Sequence, residues 1–167
     1  MTTTPGKSVD VQFLEQALAE AERAFEAGEV PVGAVVAHKG QIIGRGHNRR
    51  EALNDPTAHA ELLAITAAAN HLGDWRLTGC TLYVTKEPCP MCSGALVNAR
   101  LDRLVFGAWD EQAGCAGSLY QLCRDPRFSH QLDVSGGLLE GRCQDLLKAF
   151  FARARSGEGG RGGSSQG

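Results

Sequence analysis

DPTAHAE, residues 55–61, and PCPMC, residues 88–92, decide how this chain folds and which chemistry it supports. Asp55 followed by Pro56 predicts a helix start, because aspartate caps free N–H groups and proline suits the first helical turn. The second motif follows CTLYVT, residues 80–85, a β-branched run that predicts a strand, and it opens another helical segment. The motifs therefore predict helices and strands that alternate, as in an α/β fold.

Periodicity predicts further elements on both sides of the motifs. Lys39-Gly40 is a turn signal between two β-branched runs, which indicates a hairpin. The succession of strand, helix and strand after residue 80 favours a parallel pair. Segment 114–130 is predicted to be irregular, and 49–56 is predicted to be a loop. The predicted elements are helices 9–27, 57–70, 90–100 and 138–155, and strands 32–37, 41–46, 80–85, 104–108 and 131–134.

Length and composition predict one domain, residues 8–155, because 167 residues with 43% hydrophobic content suffice for a single core. The Gly/Ser-rich tail, residues 156–167, is expected to be disordered. A formal net charge of −2 excludes a global basic field, so a polyanion would have to bind a local patch. Neither an apolar leader nor a membrane-spanning run is found, and we expect a soluble, cytoplasmic protein that does not bind membranes.

The two motifs together offer three metal-binding side chains. Cys89 and Cys92 stand at i and i+3 of a helix start, so they share one face, and the helix dipole there favours thiolates. His59 adds a neutral imidazole. Three ligands leave one tetrahedral position open, which distinguishes a catalytic zinc site from a closed structural one. The motifs predict one zinc ion per chain, bound by His59, Cys89 and Cys92.

Glu61 is the predicted catalytic proton carrier. It lies two residues after His59, roughly 200° around a helix, so the metal is expected beyond the helix end, where both side chains can converge. A carboxylate there can take a proton from water and return it to a ring nitrogen and a leaving amine. Alone, CxxC is often a redox pair or half of a structural zinc site, and HxE is often an ordinary helix start. Their joint occurrence resembles the signature of zinc-dependent nucleobase deaminases.

The resemblance extends over residues 11–155 and is to the bacterial-type tRNA adenosine deaminases, which convert the wobble adenosine of an anticodon loop to inosine. It implies a three-layer α/β/α cytidine deaminase-like fold with a mixed five-stranded sheet. It also implies a homodimer whose active sites border the subunit interface. The stretches that carry the resemblance are GEVPVGAV (28–35), NR (48–49), DPTAHAE (55–61), TLYVT (81–85), EPCPMC (87–92, apart from Pro90), VFGA (105–108), GSL (117–119), LL (146–147) and FF (150–151).

Four further residues match substrate-contacting positions of that family. The resemblance implies that Asn48 hydrogen-bonds the flipped base and that Val30 forms a pocket wall. It likewise implies that Asp110 contacts the nucleotide backbone and that Phe150 touches the anticodon loop. The alternatives are a turn former for Asn48, a core residue for Val30, a surface charge for Asp110 and helix core for Phe150. The sequence departs from the family pattern at Lys86, Pro90 and Trp109, which flank the site.

Two rival functions remain open on the sequence. Guanine deaminases resemble this chain in both motifs, so a free-base deaminase of guanine or cytosine would share the chemistry but not the RNA partner. A non-catalytic zinc module that binds RNA is disfavoured, because Glu61 is not a metal ligand and yet is present. Candidate phosphate contacts, which are otherwise solvated charges, are Arg45, Arg49, Arg50, Lys148, Arg153 and Arg155.

Overall fold

A mixed five-stranded sheet forms the centre of the computed structural model, which describes residues 8–156. The predicted disordered tail, Ser156 apart, lies outside the described residues. In chain order the elements are α1 Val9–Glu26, β1 Gly33–His38, β2 Gln41–His47, α2 Arg50–Leu53, α3 Ala60–Leu72, β3 Cys80–Lys86, α4 Pro90–Asn98, β4 Arg103–Ala108, a 3₁₀ turn Leu122–Arg124, β5 Asp133–Gly136 and α5 Glu140–Arg155.

The strand order is β2-β1-β3-β4-β5, and it confirms the hairpin and the parallel pair that the sequence predicts. β1 runs antiparallel to both of its neighbours, whereas β3, β4 and β5 are mutually parallel. The register pairs Lys86 with Ala108 at the carboxyl ends of β3 and β4. Ligand sites of α/β proteins lie beyond these carboxyl ends, which places residues 87–92 and 109–118 at the expected edge.

The sheet is covered on both faces, as the three-layer expectation requires. Alternate residues of β1 point to opposite sides, so Ala34 and Val36 join one apolar cluster and Val35 and Ala37 join the other. The first cluster contains the apolar sides of α3 and α4, and the second contains those of α1 and α5. None of the helices within residues 8–156 combines the length and the apolar character that a bilayer span requires.

The start of α3 differs from the prediction. Asp55 does not cap the helix, because its Oδ1 atom accepts hydrogen bonds from the N–H and the hydroxyl of Thr57, at 2.8 and 2.7 Å. These bonds close a turn, and the helix begins at Ala60 with His59 in an extended conformation at the N-cap. The delayed start moves His59 out of the helix body and beyond its end.

Two other predictions differ from the structure in their boundaries or in one short element. The predicted loop contains the short helix α2, whose Glu51 and Ala52 N–H groups donate to the buried Glu29 carboxylate at 2.9 and 2.8 Å. β5 begins at Asp133 because it pairs with Arg103 of β4, two residues later than the predicted strand start. Both differences arise from contacts between residues far apart in sequence.

Candidate metal centre and active-site cavity

Three donor atoms meet where the N-termini of α3 and α4 converge. The Nδ1 atom of His59 lies 3.7 Å from the Sγ atom of Cys89 and 3.6 Å from that of Cys92. His59 is the N-cap of α3, Cys89 is the N-cap of α4, and Cys92 lies one turn further on. Within the part of the chain that is described, these side chains form the one group of three or more His, Cys, Asp or Glu residues whose ligand atoms all lie within 4.8 Å of each other.

The spacing of this group fits a tetrahedral zinc ion. With Zn–S bonds of about 2.3 Å and Zn–N bonds of about 2.1 Å, two tetrahedral ligand atoms lie about 3.6 Å apart. The observed Nδ1–Sγ distances match this separation. One imidazole and two thiol groups are also the donor types that zinc prefers. The residues therefore fit a zinc ion with three protein ligands.

The surroundings favour the metal-binding thiolate at Cys89, whereas the contact with Cys89 and burial raise the pKa of Cys92. The Cys92 thiol and then His59, which both hydrogen-bond Cys89, lower the pKa of Cys89 to about 4. The same contact with Cys89 raises the pKa of His59. The positive ends of the α3 and α4 helix dipoles also favour a thiolate, because they stabilise negative charge at both N-termini. A thiolate at Cys89 is the species that binds metal.

Glu61 lies in the first turn of α3 and lines the same cavity as His59 and Cys89. Its side chain is only 4% exposed. Burial raises the pKa of the Glu61 carboxyl, because the charged form loses water. The extended conformation of His59 lets its ring turn back beyond the helix end, so the two side chains converge although they are two residues apart.

The cavity has a volume of about 380 Å³. Three of the four residues that the resemblance assigns to the substrate line it: Val30, Asn48 and Asp110. Phe150 is not among the lining residues, and its neighbour Phe151 is. The lining residues are Val30, Val32, Asn48, Arg50, His59, Ala60, Glu61, Lys86, Glu87, Cys89, Asp110, Ala113 and Phe151.

Asn48 is fixed in orientation beside the metal group. Its amide nitrogen donates to the carbonyl of Val30 at 3.3 Å, and its amide oxygen accepts from the N–H of Arg50 at 3.1 Å. The residue is 9% exposed. Its second amide hydrogen is not used by these two bonds, so it is available to an acceptor in the cavity.

Phe150 packs at the interface between α5 and α1. Its ring lies 6.0 Å from that of Phe25 and 5.4 Å from that of Phe151, both in edge-to-face geometry. Phe151 is 44% exposed at the cavity. Phe150 thus supports the aromatic residue that faces the cavity, while its own contact with a substrate stays a prediction.

Sequence reasoning did not single out Glu87, Ala113 or Phe151 as cavity residues. Glu87 stands in the EPC stretch, but nothing in its local pattern distinguishes a buried carboxylate from an exposed one. Phe151 follows Phe150 directly, so the doublet indicated the right turn of α5 without indicating which ring faces the site. Ala113 belongs to a segment without periodicity.

Comparison with known proteins agrees with this geometry. A family model described as MafB19-like deaminase matches residues 10–155. The tRNA-specific adenosine deaminase of Bacillus subtilis (strain 168) is 50% identical over 146 residues, which cover 87% of this chain and 91% of that protein. The enzyme of the same name from Aquifex aeolicus (strain VF5) is 46% identical over 144 residues, 86% of this chain and 95% of that protein.

Solved structures show the same fold. A structure from a study of A-to-I editing by tRNA:A34 deaminases superposes with a TM-score of 0.78 at 44% identity, over 81% of this chain and 98% of that chain. Guanine deaminase from Nitrosomonas europaea superposes with a TM-score of 0.74 over 91% of this chain and 87% of that chain, and its 24% identity supports the fold alone.

The three-layer fold and the His/Cys/Cys group beside a buried glutamate define a deaminase of the cytidine deaminase-like class. Within that class, the identity to relatives along nearly their whole length is decisive. The chain belongs to the family of tRNA-specific adenosine deaminases.

Proposed function

We propose that this protein catalyses the zinc-dependent hydrolytic deamination of adenosine to inosine at the wobble position, A34, of a tRNA anticodon loop. The observation that carries the proposal is the 50% identity to a tRNA-specific adenosine deaminase across 91% of that enzyme. The donor group of His59, Cys89 and Cys92 supports the same activity, because it fits the zinc ion that such hydrolytic deaminases use.

The reaction exchanges an amine for an oxygen. Water adds its oxygen to C6 of the purine, the C6–N bond breaks, and ammonia leaves. A zinc ion, when bound, makes water acidic enough to supply a nucleophile near neutral pH. Glu61 accepts the proton that water gives up, and it delivers protons to the ring nitrogen N1 and to the leaving amine. Its place in the cavity beside His59 and Cys89 supports this role.

Asn48 and Val30 are proposed to bind the base. Asn48 is held by two hydrogen bonds, so its free amide hydrogen has a fixed direction and can select an acceptor atom of the base. Val30 lines the same cavity and offers an apolar wall for a purine ring. An anticodon-loop base is already partly unstacked, so its extrusion into a cavity costs less than extrusion from a duplex.

Asp110 and the end of α5 are proposed to contact the loop around that base. Asp110 and Phe151 both line the cavity, and Phe150 supports Phe151 from behind. In this proposal, Phe150 itself also touches the anticodon loop. Aromatic rings at such a position stack on unpaired bases, which suits a single-stranded loop.

We further propose a cytoplasmic homodimer. Large apolar side chains are exposed on the segment that follows the cavity wall: Leu119 is 52% and Tyr120 is 66% exposed. Burial of these adjacent apolar side chains against a second copy would remove them from water. Sedimentation velocity on the purified protein tests the proposal, and a monomer at micromolar concentration would contradict it.

The deciding experiment offers three substrates in parallel to the zinc-loaded protein: an adenosine-34 anticodon stem-loop, free guanine and free cytosine. We expect inosine in the RNA and no product from either base. Rapid deamination of guanine with no reaction of the stem-loop would overturn the tRNA proposal while leaving the zinc deaminase intact.

A further inference from the structure

A buried carboxylate with no direct part in the chemistry organises one wall of the cavity. Glu87 is 2% exposed and lies between the end of β3 and Cys89. Its oxygens accept four hydrogen bonds from one segment, residues 110–118. The donors are the N–H groups of Asp110 at 2.9 Å, Ala116 at 3.1 Å and Ser118 at 2.9 Å, and the hydroxyl of Ser118.

Backbone hydrogen bonds also connect this part of the chain to residues 87–89, between the end of β3 and the metal ligand Cys89. Within the segment, the N–H of Cys115 donates to the carbonyl of Pro88 at 2.8 Å, and just before the segment the carbonyl of Ala108 accepts from the N–H of Glu87, also at 2.8 Å. The segment approaches so closely that a Cβ atom on Gly114 would lie 2.3 Å from the Glu87 carboxylate. Only glycine permits so close an approach of the segment to Glu87.

The chemistry of the contact requires a carboxylate. All four partners donate, and an ionised carboxylate has about four acceptor sites on two oxygens. A glutamine has the same shape but directs an NH₂ group at two of these donors, and it leaves at least one buried N–H group without an acceptor. The Ser118 hydroxyl can rotate to accept instead, whereas the backbone N–H groups cannot.

Through these bonds, Glu87 determines the position of segment 110–118, which forms one wall of the cavity. Asp110 and Ala113 of the segment line the cavity, and Glu87 lines it too. The metal ligand Cys89 is two residues away on the same stretch of chain. The Glu87 side chain, together with the backbone bond from Cys115 to Pro88, therefore fixes the distance between the metal group and the wall formed by Asp110 and Ala113.

We propose that Glu87 is a positioning residue for deamination: by fixing segment 110–118 against residues 87–89, it holds the wall that binds the substrate beside Glu61 and the metal site. This inference rests on the proposed function for its substrate. Loss of a wall contact that the bound substrate and the transition state share raises KM with little change in kcat, so the contact should appear as a split between the two constants.

The test compares Glu87→Gln with the wild type, both as full-length, zinc-loaded protein. We expect KM for the stem-loop to rise about tenfold with a smaller change in kcat, because the wall and not the reacting groups has moved. Zinc content should remain one per chain. Amide hydrogen exchange of Asp110, Ala116 and Ser118, followed by NMR, should accelerate selectively.

Two further variants separate positioning from general stability. Ser118→Ala removes one of the four donors, leaves the carboxylate satisfied by backbone N–H groups, and should raise KM by only about twofold to threefold. Asp10→Asn alters a carboxylate at the opposite end of the sheet, beside Arg103 at the start of β4, and should lower stability without changing KM.

The proposal is overturned if Glu87→Gln leaves KM unchanged. It is equally overturned if Glu87→Gln only loses stability, as expected for Asp10→Asn, so that exchange accelerates throughout the protein and not selectively at Asp110, Ala116 and Ser118. If the wild type does not deaminate the stem-loop at all, the proposed function fails. The exchange rates of Asp110, Ala116 and Ser118 then still decide whether Glu87 fixes the segment.

Discussion

The ammonium group of Lys86 lies 3.2 Å from the Oδ2 atom of Asp110 in the wall of the cavity. Partial burial alone would raise the pKa of Asp110. The Lys86 charge and the N–H groups of Gln112 and Ala113 outweigh burial and lower that pKa below its usual value. Asp110 is therefore an anion at neutral pH, and Lys86 compensates its charge in the cavity wall.

The first prediction concerns this pair. Lys86→Leu removes the ammonium group and leaves the Asp110 charge without its partner. We expect the stem-loop to bind about threefold to tenfold more weakly, because an uncompensated carboxylate repels phosphate. Fluorescence anisotropy at fixed salt measures the affinity. Lys86→Arg keeps the charge and should keep the affinity; equal or tighter binding by Lys86→Leu would contradict the interpretation.

The second prediction concerns the metal. Purified protein should contain about one zinc per chain. Cys92→Ser replaces a soft thiolate with a poor ligand, so elemental analysis after dialysis against a weak chelator should find little zinc. Cys115→Ser is the matched control, because Cys115 is equally buried but stands outside the donor group. An active preparation free of zinc would refute the metal assignment.

The third prediction separates proton transfer from metal binding. Glu61→Gln keeps the size of a side chain that is not a metal ligand, and it should retain zinc. Turnover of the stem-loop should fall by at least about 10²-fold to 10⁴-fold, the usual cost of losing a general acid-base group. Single-turnover kinetics at saturating enzyme measures the loss. Wild-type turnover by a zinc-loaded Glu61→Gln protein would exclude Glu61 as the proton carrier.

The metal group was predictable because its spacing is local. Two residues separate Cys89 from Cys92, and the helix that begins at Pro90 places both thiols on one side whatever the rest of the fold does. The convergence of His59 with them required, in addition, that the fold bring the N-termini of α3 and α4 together. The true start of α3 was not predictable in this way, since the Asp55 side chain can either cap a helix or close a turn.

The cavity walls depend on contacts that no local pattern encodes. Glu29 caps α2, 22 residues further on, and Glu87 holds Ser118, 31 residues further on. Buried glutamates are rare, so composition argues for exposed positions. Nothing in the sequence distinguishes these two from solvated carboxylates, because their oxygens meet the N–H groups that they bind only once the chain has folded.

The fourth prediction concerns stability in acid. The bidentate hydrogen bonds from Arg103, at 2.8 and 2.7 Å, lower the pKa of Asp10 in the folded protein, and the Tyr83 hydroxyl acts in the same direction. A carboxyl with a lowered folded pKa contributes stability that is fully present above the unfolded pKa of about 3.9 and is lost as the pH falls through the folded pKa.

Asp10→Asn should therefore lower the free energy of unfolding by about 1 kcal/mol at pH 7, a value reduced for partial exposure, and by less below pH 4. Urea denaturation at several pH values measures this. Asp133→Asn removes the more distant acidic partner of Arg103, which is 77% exposed and 3.9 Å away, and should change stability little. A constant effect of Asp10→Asn across the pH range would show that its charge is not the cause.

The last prediction tests whether the partner is a polyanion. Arg50 lines the cavity, its side chain is 53% exposed, and it pairs with Glu51 only at 3.8 Å. An exposed pair of this length contributes little, so Arg50 can exchange it for a phosphate. Binding of the stem-loop should then weaken with salt in spite of the net charge of −2, and Arg50→Ala should reduce the slope of log K against log[salt] by about 0.7, the contribution of one phosphate contact to a single strand.

Arg76 provides the matched control for this slope. Its side chain is 56% exposed and pairs with Asp74 at 3.2 Å, but it lies beyond the C-terminal end of α3, whereas the metal group lies at the N-terminal end. Since α3 has 13 residues, about 20 Å separates the two ends. Arg76→Ala should therefore leave the slope unchanged. If binding proved independent of salt, or if both variants changed the slope equally, the cavity would not meet an RNA backbone through Arg50, and a neutral free base would become the better substrate.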